Sequence, residues 1–143
     1  MVLICLMRLS RTMLLRLPAL LLAGVIWFLS SQSILPQPKG ILGWDKLQHL
    51  LAYGALGLAA GLWASPVFWK RRPVLTLLLV TLTGSAYGAI DEFHQYFVPG
   101  RDCNVWDWIA DTLGAFLGAL AMMQYMRFFK SAETVKTNGE NNN

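Results

Sequence analysis

Five of the chain's eight acidic residues, Asp91, Glu92, Asp102, Asp107 and Asp111, fall in one stretch that also holds His94, Gln95 and Arg101. A smaller polar set, Asp45, Lys46, His49 and Tyr53, stands earlier in an otherwise apolar segment. Grouped carboxylates resist joint ionisation, so a cluster of this kind can hold a proton near neutral pH and trade it with a substrate. His49 beside an acid has the reach for general-base work. The Arg101 guanidinium suits a neighbouring carboxylate, and it suits the phosphate or carboxylate of a ligand equally well. Asp, Glu, His49 and His94 could supply ligands to a divalent ion, but no H-x-x-x-H or comparable spacing supports one. Cys5 and Cys103 fit no paired metal pattern, so neither a metal nor a cofactor is expected. There is also no Gly-rich phosphate loop, no serine nucleophile motif and no thiol beside a base.

The elements that must position these groups are hydrophobic. With 55% hydrophobic and 14% charged residues in 143, the chain is too apolar for an ordinary soluble domain and too short for two. Four apolar runs predict an all-α membrane protein, a bundle of four transmembrane helices over about 13–33, 44–65, 74–97 and 105–126. They form a single domain over 1–130, followed by a polar, disordered tail over 131–143. The first run, basic on its N-terminal flank and ending in Ser31-Gln32-Ser33, reads as a span or as a cleavable signal peptide. Pro18 falls in its first turn, where a missing N–H does no harm. Pro-Gly at 99–100 ends the third run, and Asp102 or Asn104 is placed to cap the fourth. Basic residues are scattered between spans with no base-stacking face, which excludes a nucleic-acid partner.

Those basic residues orient the bundle. Nine of the twelve cations, from Arg8 to Lys136, fall on the side shared by the N-terminus, the loop with Lys70, Arg71 and Arg72, and the tail. Lys39, Lys46 and Arg101 fall on the other, so both termini are expected on the cytoplasmic side of the membrane. Asp45, His49 and Tyr53 rise along one helical face, and Tyr87, Asp91, His94 and Gln95 along another, with Glu92 turned to its flank. Asp107 and Asp111 continue into Gly114 and Gly118, a small-residue groove for helix packing, as Gly54, Gly57 and Gly61 are on the second span. All the polar positions meet at the outer face. They line either an outward-opening pocket or a sealed network in which Arg101 neutralises acids. Trp27, Trp44, Trp106 and Trp108, near span ends, are expected as interfacial anchors.

Asp45-Lys46, His49 and Tyr53, then Asp91-Glu92-x-x-Gln95, Pro99-Gly100-Arg101, Asp107 and Gly114-x-x-x-Gly118, resemble the VanZ-like family of small bacterial membrane proteins over roughly residues 40–120. Many members carry Asn where this chain has Asp111. The resemblance implies four or five membrane helices, with polar positions at Asp45, Lys46, His49, Glu92, Gln95, Arg101 and Asp107. It also implies a cell-envelope role, since the founding member is linked to low-level teicoplanin resistance. The expected partners are membrane lipids and a wall precursor or glycopeptide, with oligomerisation left open. The alternative is an integral-membrane acid/base enzyme acting on a lipid-linked envelope substrate.

Overall fold

A computed structural model of the chain describes residues 2–33 and 43–140, with side chains over 13–33 and 43–128. Helix α1 spans Val2–Ser30, α2 Trp44–Ala60, α3 Pro66–Arg71, α4 Pro73–Gln95 and α5 Val105–Glu140, with a 3₁₀ turn at Gly61–Trp63. No strand occurs among the described residues. Three helical stretches, Met13–Ser30, Pro73–Gln95 and Val105–Phe128, are long and apolar enough to cross a membrane. The expected loop around Pro36 and Pro38, and the side chains of Cys5, Arg8 and Arg11, lie outside the described residues.

The second helix is shorter than its apolar run. α2 stops at Ala60, the chain tightens through Gly61–Trp63, and Ala64 is extended at φ −79° and ψ 133°. Ser65 then caps a new helix, its Oγ accepting from the Phe68 N–H at 3.2 Å, with Pro66 in the first turn. That short α3 carries Lys70 and Arg71 and folds Trp69 back, so that its Nε1 donates to the Gly61 carbonyl at 2.9 Å. The Ser-Pro start was readable in the sequence and outweighs the apolar continuity of Gly61 to Ala64. Pro18 is also not near a helix start, because α1 begins at Val2 and runs through it. At the other end α5 remains helical to Glu140, through most of the stretch assigned to a polar tail. No proline follows Pro99, and Gly139 is the first glycine after Gly118, so nothing local halts the helix. Residues 141–143 are not described.

α5 is the axis against which α2 and α4 pack, and α1 lies mainly on α2 with a lighter contact to α4. Small residues make this close approach physical. A Cβ at Gly118 would run into the backbone of Gly54 and Leu58, and one at Gly114 into the Leu50 carbonyl. Ala115 and Ala119, wholly buried, fill the seam between them. The outward faces are apolar instead of polar: Leu21, Leu82 and Phe128 are 67%, 63% and 74% exposed. A surface of that kind suits hydrocarbon as solvent, not water.

Candidate functional site

The site forms where the start of α2, the end of α4 and the start of α5 meet. α4 ends at Gln95 and the chain turns through Val98-Pro99-Gly100-Arg101, the Arg101 N–H donating to the Val98 carbonyl at 3.1 Å. Gly100 supplies the φ of 81° that such a turn needs at its third position. Of the two capping candidates, Asn104 is the cap, its Oδ1 accepting from the Trp106 N–H at 3.0 Å. The Asn104 N–H in turn donates to Glu92 Oε2 at 2.9 Å, which ties the new helix to the end of the previous one.

This tie corrects the expected position of Glu92. Glu92 does not sit on a flank; it is buried at the centre, accepts from Gln95 Nε2 through Oε1 at 3.1 Å, and lies 3.8 Å from His49 Nδ1. Three packed helices leave no lipid-facing flank at that height. His49 Nδ1 is 2.9 Å from Asp111 Oδ1, and Asp111 is fully buried. Lys46 Nζ donates to Asp45 Oδ2 at 2.7 Å and to Asp107 Oδ1 at 3.0 Å, bridging α2 and α5 at the rim.

Asp91 faces α1. The Ser30 hydroxyl reaches its Oδ2 at 2.7 Å, with Gln95 Nε2 a longer 3.4 Å away. Tyr87 donates to the Ala23 carbonyl at 2.7 Å, and His94 stacks on Trp27 at 4.1 Å between ring centres with Nε2 3.1 Å from Ser31 Oγ. Trp27 is therefore a helix-to-helix contact. Trp108 likewise donates from Nε1 to the Ser85 carbonyl at 3.0 Å, tying α5 to α4. Ser30 and Ser31 belong to the site, although in sequence they read only as the end of a first span or of a cleavable leader.

A cavity of about 820 Å³ opens beside these groups, walled by Ile26, Leu29 and Ser30 of α1 and by Asp45, His49, Tyr53, Asp91, Gln95, Arg101 and Asp107. Glu92 and Asp111 lie behind that wall. Arg101 is not sealed by acids: its Nε donates to Gln95 Oε1 at 3.2 Å, and it makes no ion pair among the described residues. Arg101 follows the turn at Gly100 on the cavity wall, while Asp107 on the same wall is held by Lys46. Three buried polar atoms of this region, Tyr53 Oη, Asp91 Oδ1 and Asp111 Oδ2, have no hydrogen-bond partner among the described residues.

A family model described as VanZ/LLP1 matches residues 15–130, most of the chain and all of this site. The chain belongs to the VanZ/LLP1 family. In this VanZ-like protein the match takes in the α1 wall as well as the polar positions of α2, α4 and α5, a longer span than the motif resemblance covers. Comparisons with curated proteins and with solved structures returned no match.

Proposed function

We propose that this VanZ-like protein is a bacterial plasma-membrane protein that engages an envelope component through the cavity at its outer face, in support of teicoplanin-type glycopeptide resistance. The observation that carries this reading is Arg101, a guanidinium on the wall of an 820 Å³ cavity with its Nε on a neutral amide and no carboxylate paired to it among the described residues. Such a group is free to take the phosphate or carboxylate of a ligand, and Ile26 and Leu29 offer an apolar wall to an attached hydrocarbon chain. A lipid-linked wall precursor or a lipid-tailed glycopeptide has both parts. The proposal includes α2 as a fourth span. Its 17 residues rise only about 25 Å, short of a typical hydrocarbon core, and the Gly61–Trp63 turn extends it. Both termini are assigned to the cytoplasm from the distribution of Lys and Arg.

Two measurements test it. Arg101→Gln and Glu92→Gln, each checked for membrane insertion, are expected to abolish the resistance or envelope phenotype, and full retention in both sinks the proposal. Cys103, an exposed thiol, is expected to react with an impermeant reagent added outside intact cells. Labelling of Cys103 only after the membrane is opened reverses the assigned orientation.

A second reading, an acid/base enzyme on a lipid-linked substrate, is favoured by one contact: His49 Nδ1 at 2.9 Å from the buried Asp111 carboxylate, with the ring on the cavity wall. Purified protein should then turn over envelope lipids and lose that turnover in His49→Gln. Absence of any turnover removes this reading and leaves the binding role.

A further inference from the structure

The geometry points to a divalent-cation site built from His49 Nδ1, Glu92 Oε1 and Asp111 Oδ1 where α2, α4 and α5 converge. One ligand atom from each of the three residues lies within 4.8 Å of the other two. The separations of His49 Nδ1 from Asp111 Oδ1 and Glu92 Oε1, 2.9 Å and 3.8 Å, bracket the roughly 3 to 3.5 Å between neighbouring ligands held about 2.0–2.2 Å from one metal. Small side-chain rotations close the triangle.

A separate observation asks for a ligand there. The Asp111 carboxylate that supplies one corner is 0% exposed, and its other oxygen, Oδ2, has no partner. Charge gives the same answer. Asp91, Glu92 and Asp111 are all buried, yet Lys46 is engaged by Asp45 and Asp107, and Arg101 by Gln95. Lys46 thus answers the buried Asp107, and among the described residues His49 is the one group able to carry positive charge that contacts Glu92 or Asp111. Carboxylates kept from water without compensation are costly, and a dication among them removes the deficit.

The surroundings fit a metal site as well. Gln95 Nε2 donates to Glu92 Oε1 and the Asn104 N–H to Oε2, so the Glu92 ligand is held in place by outer partners. His49, with 14% of its side chain exposed, lies on the cavity wall and gives the ion a way in. One imidazole and two carboxylates favour Zn²⁺ or a similar transition ion over Mg²⁺ or Ca²⁺, whose sites are built from oxygen. Three protein ligands leave a coordination position for water or another small ligand. Any proton held on Nδ1 leaves when the metal binds.

The test uses the full chain purified in detergent micelles and stripped with EDTA, then titrated with Zn²⁺ alone and, separately, with Co²⁺ for its visible absorption. About one Zn²⁺ per chain is expected, and a Co²⁺ spectrum that Zn²⁺ displaces. Asp111→Asn and His49→Gln should each weaken Zn²⁺ binding by about 100-fold or more, and Gln95→Leu by about 10- to 100-fold. Cys103→Ser should leave it unchanged. No stoichiometric uptake means the acids are balanced by protons alone, and it overturns the site. Uptake undiminished in His49→Gln, or lost in Cys103→Ser, shows metal bound elsewhere and overturns it equally. Where Asp111→Asn fails to fold, the His49 variant decides. Arg101→Gln should retain Zn²⁺, so this site and the envelope role stand or fall separately.

Discussion

Near Gly57 and Gly118, α2 and α5 touch backbone to backbone; two turns along, near His49 and Asp111, the same helices meet through a ring and a carboxylate. A Cβ at Gly57 would strike the Ala115 backbone, and the Gly61 position is closed by Met122. That end is apolar, and Trp69, Val80, Ala119, Met122 and Met123 complete its core. The other end contains buried acids, a His and a cavity. The difference teaches that the packed end sets the spacing used by the polar end. Once glycine and alanine fix how closely the helices run, the gap at His49 is the length of two side chains, and little adjustment is left to either. Gly88 on α4 completes the fit, since a Cβ there would come within 2.9 Å of Asp111 Oδ2.

The contrast can be broken at its strongest point first. Gly118→Val places a branched side chain against the Gly54 carbonyl and is expected to cost about 3 kcal/mol, seen as lost folded protein in a detergent melt. Near-native stability would show that the close approach is not what sets the helix spacing. Trp69→Phe removes the 2.9 Å bond to the Gly61 carbonyl and some volume, together about 2 kcal/mol, in the same assay. At the polar end Asp111→Asn keeps an acceptor for His49 and should change stability by less than about 1 kcal/mol while impairing function. A large loss of stability there would make the polar end structural and erase the distinction. Smallest of all, Lys46→Met breaks a bridge whose lysine side chain is 39% exposed, an effect of about 0.5 kcal/mol that fades at high salt.

Much of this was legible because it is local. Helical periodicity brought Asp45, His49 and Tyr53 to one face, the Pro-Gly pair marked the turn after α4, and the Gly114–Gly118 spacing marked the seam. What was hidden depends on contacts between helices. No local spacing could announce His49, Glu92 and Asp111 as neighbours, since each comes from a different helix. The fate of Arg101 was equally non-local: its Nε meets Gln95 at the end of α4, while Lys46 of α2 holds Asp107. Glu92 was misplaced because a helical wheel gives an angle and not the number of neighbours around it.

The contact between Ser30 and Asp91 carries a consequence for α1. A serine hydroxyl has one proton, and here two acceptors compete for it: the Ile26 carbonyl at 2.9 Å within its own helix and Asp91 Oδ2 at 2.7 Å on α4. Given to Asp91, that proton ties the first helix to α4 along the cavity wall. Given to Ile26, it leaves that one bond unmade with no helix displaced, while the Tyr87 bond to Ala23 and the Trp27–His94 stack still hold α1 to α4.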